Sequence, residues 1–375
     1  MTLQPRGPEG RDVGSSPGGD HRSPELTVVM PVLNGRELLP RSVGALEAST
    51  LDPARWELVV VDDGSRDDSA DWARSRGHRV LEVADGPRGP AFARNLGATD
   101  AHGRVLAFVD ADVCVHGDAL GRILSVLDAE EDVGAVFGSY DDAPPDPAFS
   151  SQYRNLYHRW VHLRGAGEAE TFWAGCGAVR ARAFRDVGGF DAERFPRPQI
   201  EDIELGYRIR EAGWRILLDP SIQGTHLKRW TVPGMVRTDL LDRGTPWMRL
   251  LLAEPRPDAL NVDGGERGRV ALVGLSVVFL ALGLLTSGPG WFAAAGAVLV
   301  ANVLSNASLY RWLARRRGWW FALRAIPFNL LYYGTAGLSV VLAWIGHVSS
   351  GRGAKPTALR DHDQAQAHLS GRDVS

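Results

Sequence analysis

The chain has 375 residues, with 42 Lys and Arg against 45 Asp and Glu, a formal charge of −3, and 44% apolar side chains. That length admits two domains, and the near balance of charge removes the Lys/Arg excess on which nucleic-acid binding relies. Cys114 and Cys176 lie far apart and outside any C-x-x-C spacing, which gives neither a disulfide framework nor a thiolate zinc site and is compatible with a reducing compartment.

Residues 1–24 are rich in Gly, Pro, Arg, Asp and Ser with no apolar run, and they read as a disordered tail rather than a signal peptide. At Leu26 the character changes. LTVVMPV reads as a strand stopped by Pro31, Asn34-Gly35 as a turn, and 36–48 as a helix with Leu38, Leu39, Val43 and Leu46 at helical spacing. WELVVVDDGS is a second buried strand, closing on Asp62 and Asp63, and a polar helix begins at Ser69. A short strand at 79–83 and a helix at 90–99 lead to VLAFVDADV at 105–113, whose apolar part reads as a buried strand ending in Asp110 and Asp112. This alternation predicts a parallel α/β domain with helices on both faces. Right-handed crossovers then bring Asp62, Asp63, Asp110 and Asp112 to one edge, where ligands of open α/β sheets bind. Carboxylates spaced as in D-x-D suit a hard cation such as Mg2+ or Mn2+, which can hold a nucleotide's diphosphate. The sequence has no G-x-G-x-x-G and no G-x-x-x-x-G-K-[ST], so the commonest glycine-loop nucleotide sites are unsupported.

TVVMPVLNG, ELVVVDDGSRDDS, GPAFARNLGA and LAFVDADV, in that order, resemble the family 2 glycosyltransferases of GT-A fold, and the likeness extends from Leu26 to about Trp230. The resemblance implies that Asp63 reads the nucleotide base with Asp62 beside it, that Pro31 lines the base by its backbone, that Asp110 reaches the ribose or the metal, and that Asp112 binds the metal. Arg94 and Asn95 match the family's A-R-N segment near the donor; on their residue types alone they also fit a helix surface.

Beyond the D-x-D run, 118–127 reads as a helix, 135–139 as a strand and 143–147 as a proline-rich loop. Residues 152–164 carry Tyr153, Leu156, Tyr157, Trp160 and Leu163 as a stripe, either core or an acceptor platform. In TFWAGCGAV the glycines permit close backbone approach; the family places such a segment under the donor sugar, so Gly175, Cys176 and Gly177 are either that floor or packing positions. Residues 181–187 read as a short helix stopped by Gly188-Gly189, and Gly188-Gly189-Phe190-Asp191 resembles the family's G-G-F-D turn. Glu201 and Asp202 open a helix, where acids also favour the dipole; the resemblance makes them the E-D motif, with Asp202 the general base of inverting transfer and Glu201 beside the acceptor or diphosphate. A strand at 213–218 ends at Asp219-Pro220 and precedes GTHLKRWT, in which His226 is a third metal ligand or a structural histidine, Lys228 and Arg229 are candidates to bind the diphosphate, and Trp230 is a candidate to stack on a sugar or acceptor. The glutamine of the processive Q-x-x-R-W motif is missing.

The amphipathic stretch 236–252, with Arg237, Arg243 and Arg249, is expected at the bilayer surface, followed by a charged linker to 269. Apolar runs at 270–287, 291–310 and 325–348 predict about three membrane helices. Arg267, Arg269, Arg311, Arg315, Arg316, Arg317 and Arg324 flank them and assign the catalytic domain to the cytoplasmic side of a multi-pass cell-membrane protein. The polar tail 349–375 carries Arg352, Lys355 and Arg360, which sit poorly outside unless the third segment is re-entrant. The expected organisation is therefore a GT-A domain at 25–235, an interfacial segment and linker at 236–269, and a membrane region at 270–348. The expected function is inverting transfer from a UDP-, GDP- or TDP-linked sugar to a lipid-linked or glycan acceptor with Mg2+ or Mn2+, and no nucleic acid. The alternative is a non-catalytic nucleotide-sugar-binding membrane scaffold or sensor.

Overall fold

The computed structural model describes residues 23–254, 256 and 262–349. The tail expected to be disordered, apart from its last two residues, and the polar tail after Ser349 lie outside the described residues. Strands β1 (Leu26–Val32), β2 (Trp56–Asp62), β3 (Arg79–Glu82) and β4 (Val105–Val109) alternate with helices α1 (Leu39–Glu47), α2 (Ser69–Ser75) and α3 (Pro90–Thr99). The four strands pair in parallel in the order β3-β2-β1-β4, with Val29 of β1 level with Val59 on one side and Phe108 on the other. All of β4 is buried, as its continuous apolar sequence requires of a strand covered on both faces. The first strand runs through Pro31 instead of stopping there. Its pairing with β4 has already ended at Val29, so the missing proline N–H breaks no ladder on that side.

The second half of the domain adds β5 (Val113–Val115), α4 (Ala119–Ala129), β6 (Val133–Tyr140), α5 (Phe149–Arg164), β7 (Gly167–Ala169), β8 (Cys176–Arg180), α6 (Ala181–Asp186), α7 (Glu201–Glu211) and β9 (Arg215–His226). Here the sheet becomes mixed: β8 lies antiparallel between β4 and β6, β6 and β9 are parallel, and β5 and β7 run antiparallel to β9. The strand predicted to end at 218 continues to His226. Asp219-Pro220 falls where the β6 register shifts between Phe137 and Ser139, so the proline occupies an irregular stretch and pairing resumes at Gln223. That continuation carries His226 to a place opposite Val113, next to the D-x-D turn.

Helix α7 has Glu201, Asp202 and Glu204 in its first turn and Arg208 and Arg210 in its last, both matched to the macrodipole. Its Gly206 lies against the backbone of Thr171 and Phe172, where an added Cβ would come within 2.3 Å of the Phe172 nitrogen. The glycine lets α7 seat directly on the segment that leads into β8.

After β9 come α8 (Val232–Arg237), a π-helical segment Thr238–Gly244, α9 (Thr245–Ala253), α10 (Gly264–Thr286), α11 (Pro289–Ser305), α12 (Ala307–Arg317) and α13 (Trp319–Ser349). Helices α10 and α13 are long and apolar enough to cross a membrane; α11 and α12 make a third candidate only if taken together, and they bend by 60° at their junction. The apolar run at 291–310 is thus interrupted at Asn306, whose Nδ2 donates to the Asn302 carbonyl at 3.0 Å while its Oδ1 accepts from the Tyr333 hydroxyl at 2.8 Å. Past the bend, Leu309, Tyr310 and Leu313 are buried with Tyr153, Leu156 and Tyr157 of α5. The aromatic stripe of α5 is therefore core. Trp247 and Leu250 of α9 are likewise buried with Phe195, Ile200 and Tyr207, so the amphipathic stretch packs its apolar side on the α/β domain. Leu284, Leu285 and Trp320 are 75%, 82% and 72% exposed, an apolar surface suited to lipid.

Candidate active site

The ends of β1, β2 and β4 build one side of the site. Asp62 Oδ1 accepts from the Gly64 and Ser65 amides at 3.0 and 2.7 Å and so closes its own turn. Its Oδ2 is buried without a partner among the described residues. Asp63 accepts from the Arg88 amide with Oδ1 and from the Gly89 amide with Oδ2, both at 2.8 Å, which anchors the loop entering α3 beside the first strand pair. Pro31 stands level with Val61 at the same edge.

Arg94, on α3, is 4% exposed and bridges two parts of the chain: its Nη2 donates to Asp110 at 2.7 Å and its Nη1 to Glu201 at 3.0 Å. Burial works against this guanidinium's charge, yet Asp110, Glu201 and Asp202 around it raise its pKa above the ordinary arginine value. Asp110 is shifted upward by burial in spite of Arg94, with Asp112 adding to the rise. The arrangement ties the D-x-D turn to the first turn of α7.

Asp112 and His226 meet at 3.4 Å. Tyr140 stacks on the His226 ring with centroids 4.2 Å apart, fixing the imidazole's plane. Burial would raise the Asp112 pKa, but the His226 hydrogen bond and charge and the nearby Lys228 outweigh it and keep it low. Among the described residues no three His, Cys, Asp or Glu side chains converge as a metal site, so the expected trio of Asp110, Asp112 and His226 is not assembled; Asp110 is turned to Arg94 instead. A carboxylate and an imidazole at one point do fit Mg2+ or Mn2+, which commonly binds through one or two protein groups and completes its shell with substrate phosphates.

Asp202 is fixed from both sides: its Oδ2 accepts from the Ala174 amide at 3.1 Å and its Oδ1 from the Ile203 amide at 2.9 Å. Burial, and after it the Glu201 carboxylate, lift its pKa from 3.8 to about 6 against the opposing pull of Arg243 and Arg94. It lines a cavity of about 1120 Å³ between the domain and the C-terminal helices. A half-buried carboxylate, deprotonated at neutral pH yet of raised basicity, has the properties of a general base.

Residues 27–188 match the model described as Glycosyl transferase family 2. The domain belongs to that family. Over 235 residues the chain is 32% identical to Validoxylamine A glucosyltransferase of Streptomyces hygroscopicus subsp. limoneus, covering 54% of this chain and 51% of the relative. It is 27% identical over 125 residues to UDP-Glc:alpha-D-GlcNAc-diphosphoundecaprenol beta-1,3-glucosyltransferase WfgD of Escherichia coli, covering 31% and 46%. The chain spans about half the length of the curated relatives it matches first, 51% and 54%. Its fold is that of Mannosyltransferase PcManGT from Pyrobaculum calidifontis, solved with GDP-Man and Mn2+, at a TM-score of 0.54 and 19% identity over 89% of this chain and 90% of the other.

Within this family 2 domain several predicted site residues have structural partners. Asn95 donates to the Phe190 carbonyl at 2.7 Å and accepts from its amide at 2.9 Å, so it latches the Gly188-Gly189-Phe190 turn to α3. Glu201 is spent on Arg94 and on the Gln199 amide. A Cβ at Gly175 would meet the Trp173 ring at 2.5 Å, and one at Gly177 would meet the Trp173 carbonyl at 2.4 Å, which makes both packing positions. Burial pushes the Cys176 thiol up to about 12, so it is inert at neutral pH. Trp230 is buried against Tyr153 and Met235, while Lys228 is exposed with Nζ 4.3 Å from the Trp230 ring centre, and Arg229 is exposed. The sequence reading did not single out Tyr140, Trp173 or Arg243 for the site, because each reaches it through packing between distant segments.

Proposed function

We propose that this chain is a membrane-bound inverting glycosyltransferase that moves a sugar from a nucleotide-diphosphate donor to a lipid-linked acceptor. The observation that carries the reading is Asp202, a fixed, half-buried carboxylate of raised basicity that faces the cavity bordered by the apolar helices and is joined through Glu201 and Arg94 to the donor edge. Asp202 accepts the proton of the attacking acceptor hydroxyl while the new bond forms at the anomeric carbon, opposite the departing nucleotide. No second carboxylate is required as a nucleophile. Pro31, Asp62 and Asp63 border the base and Asp110 the ribose. Lys228 and Arg229 lie where a diphosphate would be met, and Trp230 stiffens that segment from beneath.

Asp112 and His226 would hold Mg2+ or Mn2+. When bound, the cation neutralises charge growing on the diphosphate. Arg94 meanwhile keeps Asp110 oriented and balances the acids around the base. WfgD is named for a diphosphoundecaprenol-linked acceptor sugar and PcManGT was solved with GDP-Man and Mn2+, which supports a lipid-linked acceptor and a divalent metal here. The arginines of α12 and of the α10 start support a cytoplasmic catalytic domain.

Incubating membranes containing the chain with labelled UDP-, GDP- and TDP-sugars and extracting the lipids tests the function. Label should pass to a lipid fraction, and Asp202→Asn should lower turnover by roughly 100-fold or more. Undiminished turnover in that variant refutes the base; donor binding without transfer by the unaltered protein refutes the activity.

A further inference from the structure

The cavity that contains Asp202 has two dissimilar walls. Asp202, Trp173, His158 and His162 belong to the catalytic domain, whereas Val273 and Val277 of α10 and Val341 and Trp344 of α13 close the opposite side. Val277, Val341 and Trp344 are also 59%, 51% and 57% exposed, so the cavity opens through the apolar surface that the C-terminal helices present outward. A space of about 1120 Å³ with such a mouth admits a lipid chain from the side.

Several of the charges lining it are engaged at close range. Arg154 donates to Asp239 at 2.9 Å, Glu266 is bound by Arg269 and by the Tyr333 hydroxyl, and Asp202 accepts two backbone amides. Arg243 is half-buried in the same wall, where its charge acts on Asp202, but its guanidinium makes no hydrogen bond or close ion pair with a described residue. It is held there by the π-helical segment, whose Gly244 packs so closely on α13 that a Cβ would come within 2.3 Å of Ser339 Oγ. A half-buried guanidinium whose donors make no close contact within the protein keeps its planar fork for a ligand, and phosphate oxygens match that fork. π-turns are frequent at functional positions.

We infer that the acceptor is a lipid whose hydroxyl-bearing headgroup is joined to its chain through a phosphate or diphosphate, with the chain along α10 and α13, the phosphate on Arg243 and the hydroxyl on Asp202. This rests on the transferase reading above and specifies its acceptor. The acceptor oxygen bonds to the anomeric carbon as the bond from that carbon to the diphosphate oxygen breaks; the electron pair leaves with the nucleotide diphosphate and the hydroxyl proton goes to Asp202. A bare lipid phosphate would bring an anionic nucleophile against the Asp202 carboxylate and give it no proton to take. A neutral glycolipid would offer the Arg243 donors no anionic oxygen.

The test uses the purified full chain in detergent with the same panel of labelled donors and four acceptors: a prenyl-diphosphate-linked sugar, a polyol-headed phospholipid, a neutral glycosyl diacylglycerol and a bare prenyl phosphate. Either or both of the first two should exceed the last two by about tenfold or more in kcat/KM, as expected for a charge-assisted contact, and the pattern between them identifies the lipid. Arg243→Gln should raise the KM for the phosphate-linked acceptor by a similar factor and erase the preference; Arg243→Lys should keep it. Equal use of the neutral lipid, preference for bare prenyl phosphate, or a preference that survives Arg243→Gln overturns this inference and leaves the transferase reading standing. Label in no lipid at all overturns both.

Discussion

Replacing Arg94 by alanine should be among the most damaging single changes in the domain. The side chain is 5% exposed and its two ion pairs, 2.7 Å to Asp110 and 3.0 Å to Glu201, join segments 107 residues apart. Its removal leaves two carboxylates facing each other and Asp202 without their common cation. Breaking a buried pair by deleting one partner costs about 3–5 kcal/mol, which in a domain of this size lowers the melting temperature by roughly 6–20 °C. Tryptophan fluorescence during a thermal ramp of the detergent-solubilised chain measures it. Adding Glu201→Gln to the variant should recover part of the loss, because it removes one of the stranded charges. A drop of under about 2 °C for Arg94→Ala would refute the claim that this arginine clamps α3, the D-x-D turn and α7 together.

Three further outcomes follow from the site. Because Asp202 titrates at about 6, kcat/KM should fall as pH drops through that value. The same raised pKa means that the folded state holds the proton more tightly than the unfolded one, so this group's effect on stability is unfavourable above about pH 6 and is relieved as pH falls toward 4; a pH-rate profile without an inflection near 6 counts against the assignment. Gly206→Ala should destabilise by about 1–3 kcal/mol, since the new methyl meets backbone at Thr171 and Phe172 and α7 must shift, and unchanged thermal stability would contradict that packing. Asp112→Ala should raise the Mn2+ concentration needed for half-maximal activity by about tenfold or more, and full metal response in that variant would remove Asp112 from the metal site.

What the sequence reveals most readily is local. Apolar runs such as LVVVD and VLAFVD place their terminal acids at strand ends without knowledge of anything distant, and the edge that gathers Asp62, Asp63, Asp110 and Asp112 follows. Local punctuation misleads at Asp219-Pro220, because the strand crosses it by an irregularity in pairing that only β6 defines. The same limit applies to Asn95, whose exposed-looking polar side chain is claimed by Phe190, and to Arg243, which reads as one arginine of an amphipathic stretch until α13 and the catalytic wall enclose it. Apolar length alone also merges α11 with α12, since the bend is specified by Asn306 and by the α5 surface that receives Leu309 and Leu313.

Helix α13 touches the rest of the protein along most of its length. Phe321 and Phe328 lie against Phe149 with ring centres 4.7 and 5.0 Å apart, Tyr332 lies against Tyr157 at 5.1 Å, Ser339 abuts Gly244, and Gly346 reaches Arg249. The C-terminal helices are therefore not a detachable appendage of the globular domain. A fragment ending before α10 would bare the aromatic side of α5 to water and take away half of the chamber that Asp202 lines, so expressing the globular part alone yields a different object, open where the native molecule is enclosed.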